Sequence, residues 1–202
     1  AGSDEACFDD YTFHQIELFS RCADAIQAVS PHKVLRHILN TAGITRFTEY
    51  QFDAVRLGIG LYGISPCGDN QGLRTVSTLK TTILQIRDLA AGETVGYGRH
   101  GKLTSPSRVA AIPIGYADGF DRHLGNGKGR VVVNGHRAPV VGNVCMDVTM
   151  VDVTGIDCQE GDRVEIFGEQ LPVEEVAGWL GTIPYEVLTS VSSRVKRVYY
   201  RE

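Results

Sequence analysis

Phe13, Ile16, Leu18, Phe19, Cys22, Ala25 and Ile26 recur at close to helical spacing behind an acidic start ending in Asp9-Asp10. The pattern predicts a helix from about Asp10 or Thr12 to Ala28, with the acids and Thr12 suited to its N-terminus and Ser30-Pro31 stopping it. Residues 34–39 (Val-Leu-Arg-His-Ile-Leu) form a short, mostly apolar run that predicts a buried strand, followed by a small polar loop at Asn40-Thr41-Ala42-Gly43. A helical turn near residues 47–52 leads to a second apolar strand over 54–63, which carries a single arginine, Arg56. Helix alternating with buried strand is the grammar of a parallel α/β sheet or barrel. Two such strands cannot close a barrel, so residues 1–64 read as the last α/β units of an incomplete TIM-type barrel whose beginning is absent.

The grammar changes after residues 65–73, a Gly-rich polar stretch (Ser-Pro-Cys-Gly-Asp-Asn-Gln-Gly-Leu) that reads as a linker. Apolar and polar residues alternate over 76–89, and β-rich runs follow at 108–114, 130–133, 138–141, 147–153 and 162–166, separated by Asn-Gly, Gly-Asp and similar turns. Short strands at that spacing predict an antiparallel barrel or sandwich over residues 74–202. A lone helix is expected over 172–180, around the single tryptophan, Trp179, and a closing strand over 194–200 with its basic residues on a solvated face. The fold class expected is therefore mixed: a mainly antiparallel β domain preceded by part of an α/β barrel.

Composition narrows the chemistry. An apolar fraction of 43 % over 202 residues is enough for a real core. Net charge is −4 with acids and bases interspersed, so no basic stripe is offered to nucleic acid and no polybasic segment to a membrane surface. The five cysteines are scattered, without the spacing of a metal site, which fits reduced thiols and a cytoplasmic protein with no bound metal. No run approaches the ~18 apolar residues of a membrane-spanning helix. The chain opens at Ala1 rather than Met, which suggests that something upstream has been removed.

The segment Gly92-Glu93-Thr94-Val95-Gly96-Tyr97-Gly98-Arg99-His100-Gly101 reads as a polar hairpin with a tyrosine between two glycines near its tip. With no neighbouring side chains to pack against, the Tyr97 hydroxyl can be presented at a surface or to a partner chain. Four further pieces accompany it: Val55-Arg56-Leu57-Gly58-Ile59 with Leu61-Tyr62-Gly63; Ile112-Pro113-Ile114-Gly115-Tyr116-Ala117-Asp118-Gly119; Val141-Gly142-Asn143-Val144-Cys145-Met146-Asp147; and Pro184-Tyr185-Glu186-Val187. In this order and at these intervals the set closely resembles alanine racemase, a pyridoxal-phosphate enzyme with a barrel domain followed by a β domain, and the resemblance runs nearly the whole length.

The resemblance implies roles. Racemisation needs an electron sink and two acid/base groups, one on each side of the substrate; Tyr97 would serve one face and the family's cofactor-bearing lysine the other. That lysine stands in a Val-Lys-Ala-Asn-Ala-Tyr-Gly type of segment, and Lys33, Lys80, Lys102, Lys128 and Lys196 lack that setting and read as surface charge. A family histidine expected beside the tyrosine would fall just upstream of Ala1. A phenol has a pKa near ~10, so nearby positive charge or hydrogen bonds must stabilise its phenolate. Arg56 would face the pyridine nitrogen of pyridoxal phosphate, disfavouring its protonation. Asn40 and Thr41, the amides of Gly58 and Ile59, and the phenol of Tyr185 would bind the phosphate; Thr41 stands where the family usually has serine. His37 is either near the cofactor ring or an ordinary core histidine. The Met146 N–H would bind the substrate carboxylate, with Asp147 and Tyr116 framing the mouth of the site. Family members are head-to-tail homodimers with shared active sites, in which Tyr97 and Met146 would enter the partner's barrel. The chain alone is expected to be inactive. Two rivals remain: a fold-related basic-amino-acid decarboxylase, and a non-catalytic β module for assembly.

Overall fold

The computed structural model describes residues 2–68 and 72–200. Ala1, Asp69, Asn70 and Gln71 of the expected linker, and Arg201 and Glu202, lie outside the described residues. The chain divides into two compact units, Ala1–Val76 and Ser77–Glu202.

In the first unit, helix α1 spans Asp9–Val29, with Asp9 and Asp10 in its first turn. Both carboxylate oxygens of Asp9 accept from the same Arg46 nitrogen, Nη2, at 2.7 and 2.9 Å, and Arg46 Nη1 donates to the Ser3 carbonyl at 2.8 Å. Ile16, Leu39 and Phe47 form a small core with Ile38, Ile44 and Tyr50 packed against it, and the Phe13 ring meets Phe47 edge-on at 5.3 Å.

Two expectations for this unit are corrected. Residues 41–46, read in part as loop, form helix α2 (Thr41–Arg46), because Asn40 caps it: its side-chain oxygen accepts from the Gly43 N–H at 3.0 Å. The apolar runs 34–39 and 54–63 lie side by side but share only one parallel bridge, His37 to Ala54. The ladder stops there for a visible reason. The Ile38 carbonyl, which the next rung would use, accepts from the Arg56 guanidinium at 2.7 Å, and the Arg56 N–H goes to the Leu39 carbonyl at 2.8 Å instead. Beyond it, Ile59–Tyr62 is a 3-10 turn ended by Gly63 at φ 77°. The α/β character holds; no closed barrel forms among the described residues.

The second unit is antiparallel β, as expected. Its strands are β1 (Leu79–Thr82), β2 (Gln85–Leu89), β3 (Thr94–Val95), β4 (Gly101–Lys102), β5 (Ser107–Ile112), β6 (Arg130–Val133), β7 (His136–Pro139), β8 (Thr149–Asp152) and β9 (Arg163–Phe167). They form sheets of order β1-β9-β6-β7 and β2-β5-β8, with β3 and β4 pairing as a hairpin. Asn134 and Gly135, both at positive φ, make the two-residue turn between β6 and β7, so β7 begins two residues before the apolar run at 138–141 does. Val131, Val133, Val151, Val153 and Val164 are fully buried and form the centre of the core.

Helix α3 (Val173–Leu180) stands where a helix is expected. A second helix, α4 (Pro184–Ser190), follows it with proline in its first turn, a start signal that the resemblance motif at the same residues hides. The closing strand over 194–200 does not form. Arg194 and Arg197 turn their guanidinium groups onto side-chain carboxylates and onto the carbonyls of Val191, Ser192 and Val195, and Val198, Tyr199 and Tyr200 are exposed with no strand partner among the described residues.

Candidate active site

Register in the second unit gathers four of the residues singled out above. Ile112 at the end of β5 pairs with Thr149 at the start of β8, so the turn after β5 (Tyr116–Asp118) and the loop before β8 (residues 142–147) lie against each other. Their backbones are bonded directly: the Tyr116 N–H donates to the Cys145 carbonyl and the Ala117 N–H to the Met146 carbonyl, both at 3.0 Å. Below them, the buried Thr149 hydroxyl donates to the Ile114 carbonyl at 2.7 Å.

The β3–β4 hairpin brings in Tyr97. Its strands pair Thr94 with Lys102 and Val95 with Gly101, and Gly96 and Gly98 turn the chain at φ 76° and 68°. A Cβ on Gly101 would meet Val141 Cγ1 at 2.8 Å and one on Gly142 would meet the Val95 carbonyl at 3.0 Å, so glycine at both positions lets the hairpin lie on the start of the 142–147 loop. At its tip the Tyr97 side chain is 79 % exposed. Tyr97, Tyr116, Met146 and Asp147 line one open hollow of about 810 Å³, with Arg122, Asn143 and Cys145 as further walls.

Within this hollow the Met146 N–H has no hydrogen-bond partner among the described residues, although the carbonyl of the same residue is engaged. It is a free backbone donor on a residue that shares the hollow with Tyr97 and Tyr116. Asp147 is held from outside by Arg194, whose Nη2 donates to it while its Nε donates to Asp118 at 2.7 Å. The hydrogen bonds that Arg194 gives to Asp147, and next to Asp118, push its pKa above the ordinary arginine value, so it stays cationic. The sequence pattern gives no sign of Arg122, holds Asn143 only as part of a motif and puts Arg194 on a solvated strand face; only the fold brings residue 194 to residues 118 and 147.

The first unit holds a separate cluster. The Thr41 hydroxyl accepts from the Gly58 N–H at 3.1 Å and the Gly60 N–H at 3.3 Å, so one hydroxyl and two amides converge between α2 and the turn at Ile59–Tyr62. A Cβ at residue 60 would overlap Leu57 Cδ1 and Thr41 Cγ2, at 2.8 and 2.9 Å, which explains the glycine there. With both amides donating to it, the Thr41 hydroxyl has its own proton left to offer a phosphate oxygen. Ile59 is buried behind it. Asn40 is committed to its cap and to the Ser3 hydroxyl at 2.8 Å. Arg56 lines a cavity of about 170 Å³ with Ile16, Ile38, Leu39 and Asn40. His37 is exposed and outside that cavity, so within this chain it is not a core histidine. Tyr185 lies half-exposed on α4 in the second unit. Thr41→Val keeps the shape and removes the acceptor for both amides; it is expected to lower the stability of the first unit by about 1–2 kcal/mol, read as a lower urea midpoint, and an unchanged midpoint would show that the bonds carry nothing.

Comparison with known proteins places the chain. Residues 76–199 match the family model for the alanine racemase C-terminal domain and residues 1–66 that for the alanine racemase N-terminal domain. Alanine racemase 1 of Clostridium acetobutylicum is 39% identical over 201 residues, covering 95% of this chain and 52% of the relative. The solved alanine racemase of Clostridium difficile 630 superposes with a TM-score of 0.91 at 36% identity, over 99% of this chain and 53% of that one. The alanine racemase of Bartonella henselae, solved with covalently bound pyridoxal phosphate, gives 0.86 at 38% identity, over 99% and 55%. The chain thus spans about half the length of the relatives it matches. On the strength of both domain models and of these relatives, the chain belongs to the alanine racemase family.

Proposed function

We propose that this chain is the C-terminal part of a cytoplasmic, homodimeric, pyridoxal-phosphate-dependent alanine racemase that interconverts L- and D-alanine by two-base proton transfer. The observation that carries the reading is one hollow lined by an exposed tyrosine at a glycine-flanked hairpin tip, by a second tyrosine and by Met146, whose backbone N–H has no partner among the described residues. When bound, pyridoxal phosphate supplies the electron sink that makes the α-proton of an amino acid removable.

The chain's own residues supply the rest. The Tyr97 hydroxyl takes or returns the α-proton on one face of the substrate. The Met146 N–H donates to the substrate carboxylate and so fixes which face meets Tyr97. Tyr116 and Asp147 frame the mouth of the site. In the first unit, the Thr41 hydroxyl, the Ile59 N–H and the side-chain amide nitrogen of Asn40 would hold the phosphate, with the Gly58 N–H turning to it from the Thr41 oxygen. Arg56, always charged, would face the ring nitrogen and disfavour its protonation, and His37 would lie near the ring. Tyr97 and Met146 serve the partner subunit's barrel, which accounts for a catalytic phenol standing 79 % exposed on its own chain.

The cofactor-bearing lysine of the family motif is not among the lysines of this chain. The chain alone is therefore expected to show no interconversion of D- and L-alanine in a coupled D-alanine assay, and the chain continued through a complete barrel that carries the lysine segment is expected to be active. Racemisation by the isolated chain, free of host enzyme, would overturn this assignment.

A further inference from the structure

We propose that Arg194 is a positioning residue for the substrate-carboxylate site: it clamps the turn that carries Tyr116 to the loop that carries Met146. The inference rests on the proposed role of Met146. The two segments are joined edge to edge by two backbone hydrogen bonds only, Tyr116 N–H to Cys145 and Ala117 N–H to Met146. Each also ends in a carboxylate, Asp118 on the turn and Asp147 on the loop, and both carboxylates are taken by the same guanidinium.

The two arms of the clamp differ. The Asp118 side chain is only 12 % exposed, and its second oxygen accepts from the Gly115 N–H at 2.9 Å, while its backbone carbonyl accepts from the Ser192 N–H at 3.1 Å. Arg194 is thus fixed to a rigid anchor on one side. Asp147 is 55 % exposed and has no other hydrogen-bond partner among the described residues, so its position depends on Arg194. An exposed ion pair by itself contributes little stability. A planar fork spanning two carboxylates on different segments contributes geometry, which an ammonium cannot reproduce. Without the guanidinium, two carboxylates face each other with no cation between them, and the more exposed one moves away, taking with it the loop that holds the Met146 N–H.

Amide hydrogen exchange on the full chain tests the coupling, with alanine kinetics of the completed racemase as the second readout. In Arg194→Met the Tyr116 and Ala117 amides are expected to exchange about ten-fold faster or more, while those of Ala110 in β5 and Val151 in β8 change by less than about two-fold; Arg194→Lys falls between. In the completed enzyme KM for alanine rises about ten-fold with kcat little changed, the pattern of lost ground-state and transition-state binding together. If Arg194→Met fails to fold, Asp147→Asn, which discharges only the exposed arm, gives the same exchange test. Faster exchange spread evenly over β5 and β8, or none at Tyr116 and Ala117, overturns the clamp. Localised exchange with an unchanged KM upholds the clamp and overturns the assignment of Met146.

Discussion

Tyr97→Phe is expected to lower racemisation by the completed enzyme by about a thousand-fold, within the range that removal of a general acid/base produces, while leaving the fold intact. Stability is spared because the Tyr97 ring is 79 % exposed and its hydroxyl has no hydrogen-bond partner among the described residues. Only one proton position is lost, so the effect is one-sided. In deuterated water, α-hydrogen exchange should fail for the alanine enantiomer whose proton faces Tyr97 and persist for the other, whose proton faces the lysine. A residual racemase rate near that of the unmodified enzyme, or equal loss of exchange from both enantiomers, would remove Tyr97 from the proton-transfer role.

Gly115→Ala should strongly destabilise the second unit. A Cβ at this position would stand 2.2 Å from the Cys145 carbonyl oxygen and 2.4 Å from that of Met146. Both are main-chain atoms, and neither can swing aside as a side chain would. The backbone at Gly115 is extended, with φ −149°, so the requirement for glycine is one of space and not of dihedral angle. Relieving the overlap means parting the Tyr116 turn from the Met146 loop, which breaks the two bonds between them. We expect a loss of roughly 3–5 kcal/mol, or a Tm lower by roughly 10 °C or more. Gly178→Ala is the control: that glycine is exposed inside α3, a Cβ there meets nothing within 4 Å, and helix propensity predicts a gain of up to ~1 kcal/mol. If the two variants had similar stability, the backbone contact at Gly115 would be irrelevant.

Much of this arrangement is legible in the sequence where local chemistry decides it. The helix at Asp9–Val29 follows from apolar spacing alone, the β6–β7 hairpin from Asn134-Gly135, and the presentation of Tyr97 from its flanking glycines. Where a side chain competes with the backbone, pattern reading fails. Runs 34–39 and 54–63 look like paired strands, but the Arg56 guanidinium takes the Ile38 carbonyl and ends the ladder after one bridge. Residues 194–200 read as a closing strand with a basic solvated face, yet their arginines bond to carboxylates and main-chain carbonyls. The convergence of residues 116 and 146 is set by the β5–β8 register and that of residue 97 by the β3–β4 hairpin lying on the 142–147 loop, which no single segment encodes.

In the proposed function this chain carries substrate-facing and phosphate-facing groups of the racemase, and the lysine that bears the cofactor lies outside it. Incubating the purified chain with pyridoxal phosphate, reducing with borohydride and mapping modified lysines by mass spectrometry tests it most directly. No stoichiometric adduct is expected on Lys33, Lys80, Lys102, Lys128 or Lys196. A stoichiometric adduct on any one of them would contradict the proposed function, and the roles assigned to the site would have to be redrawn around that lysine.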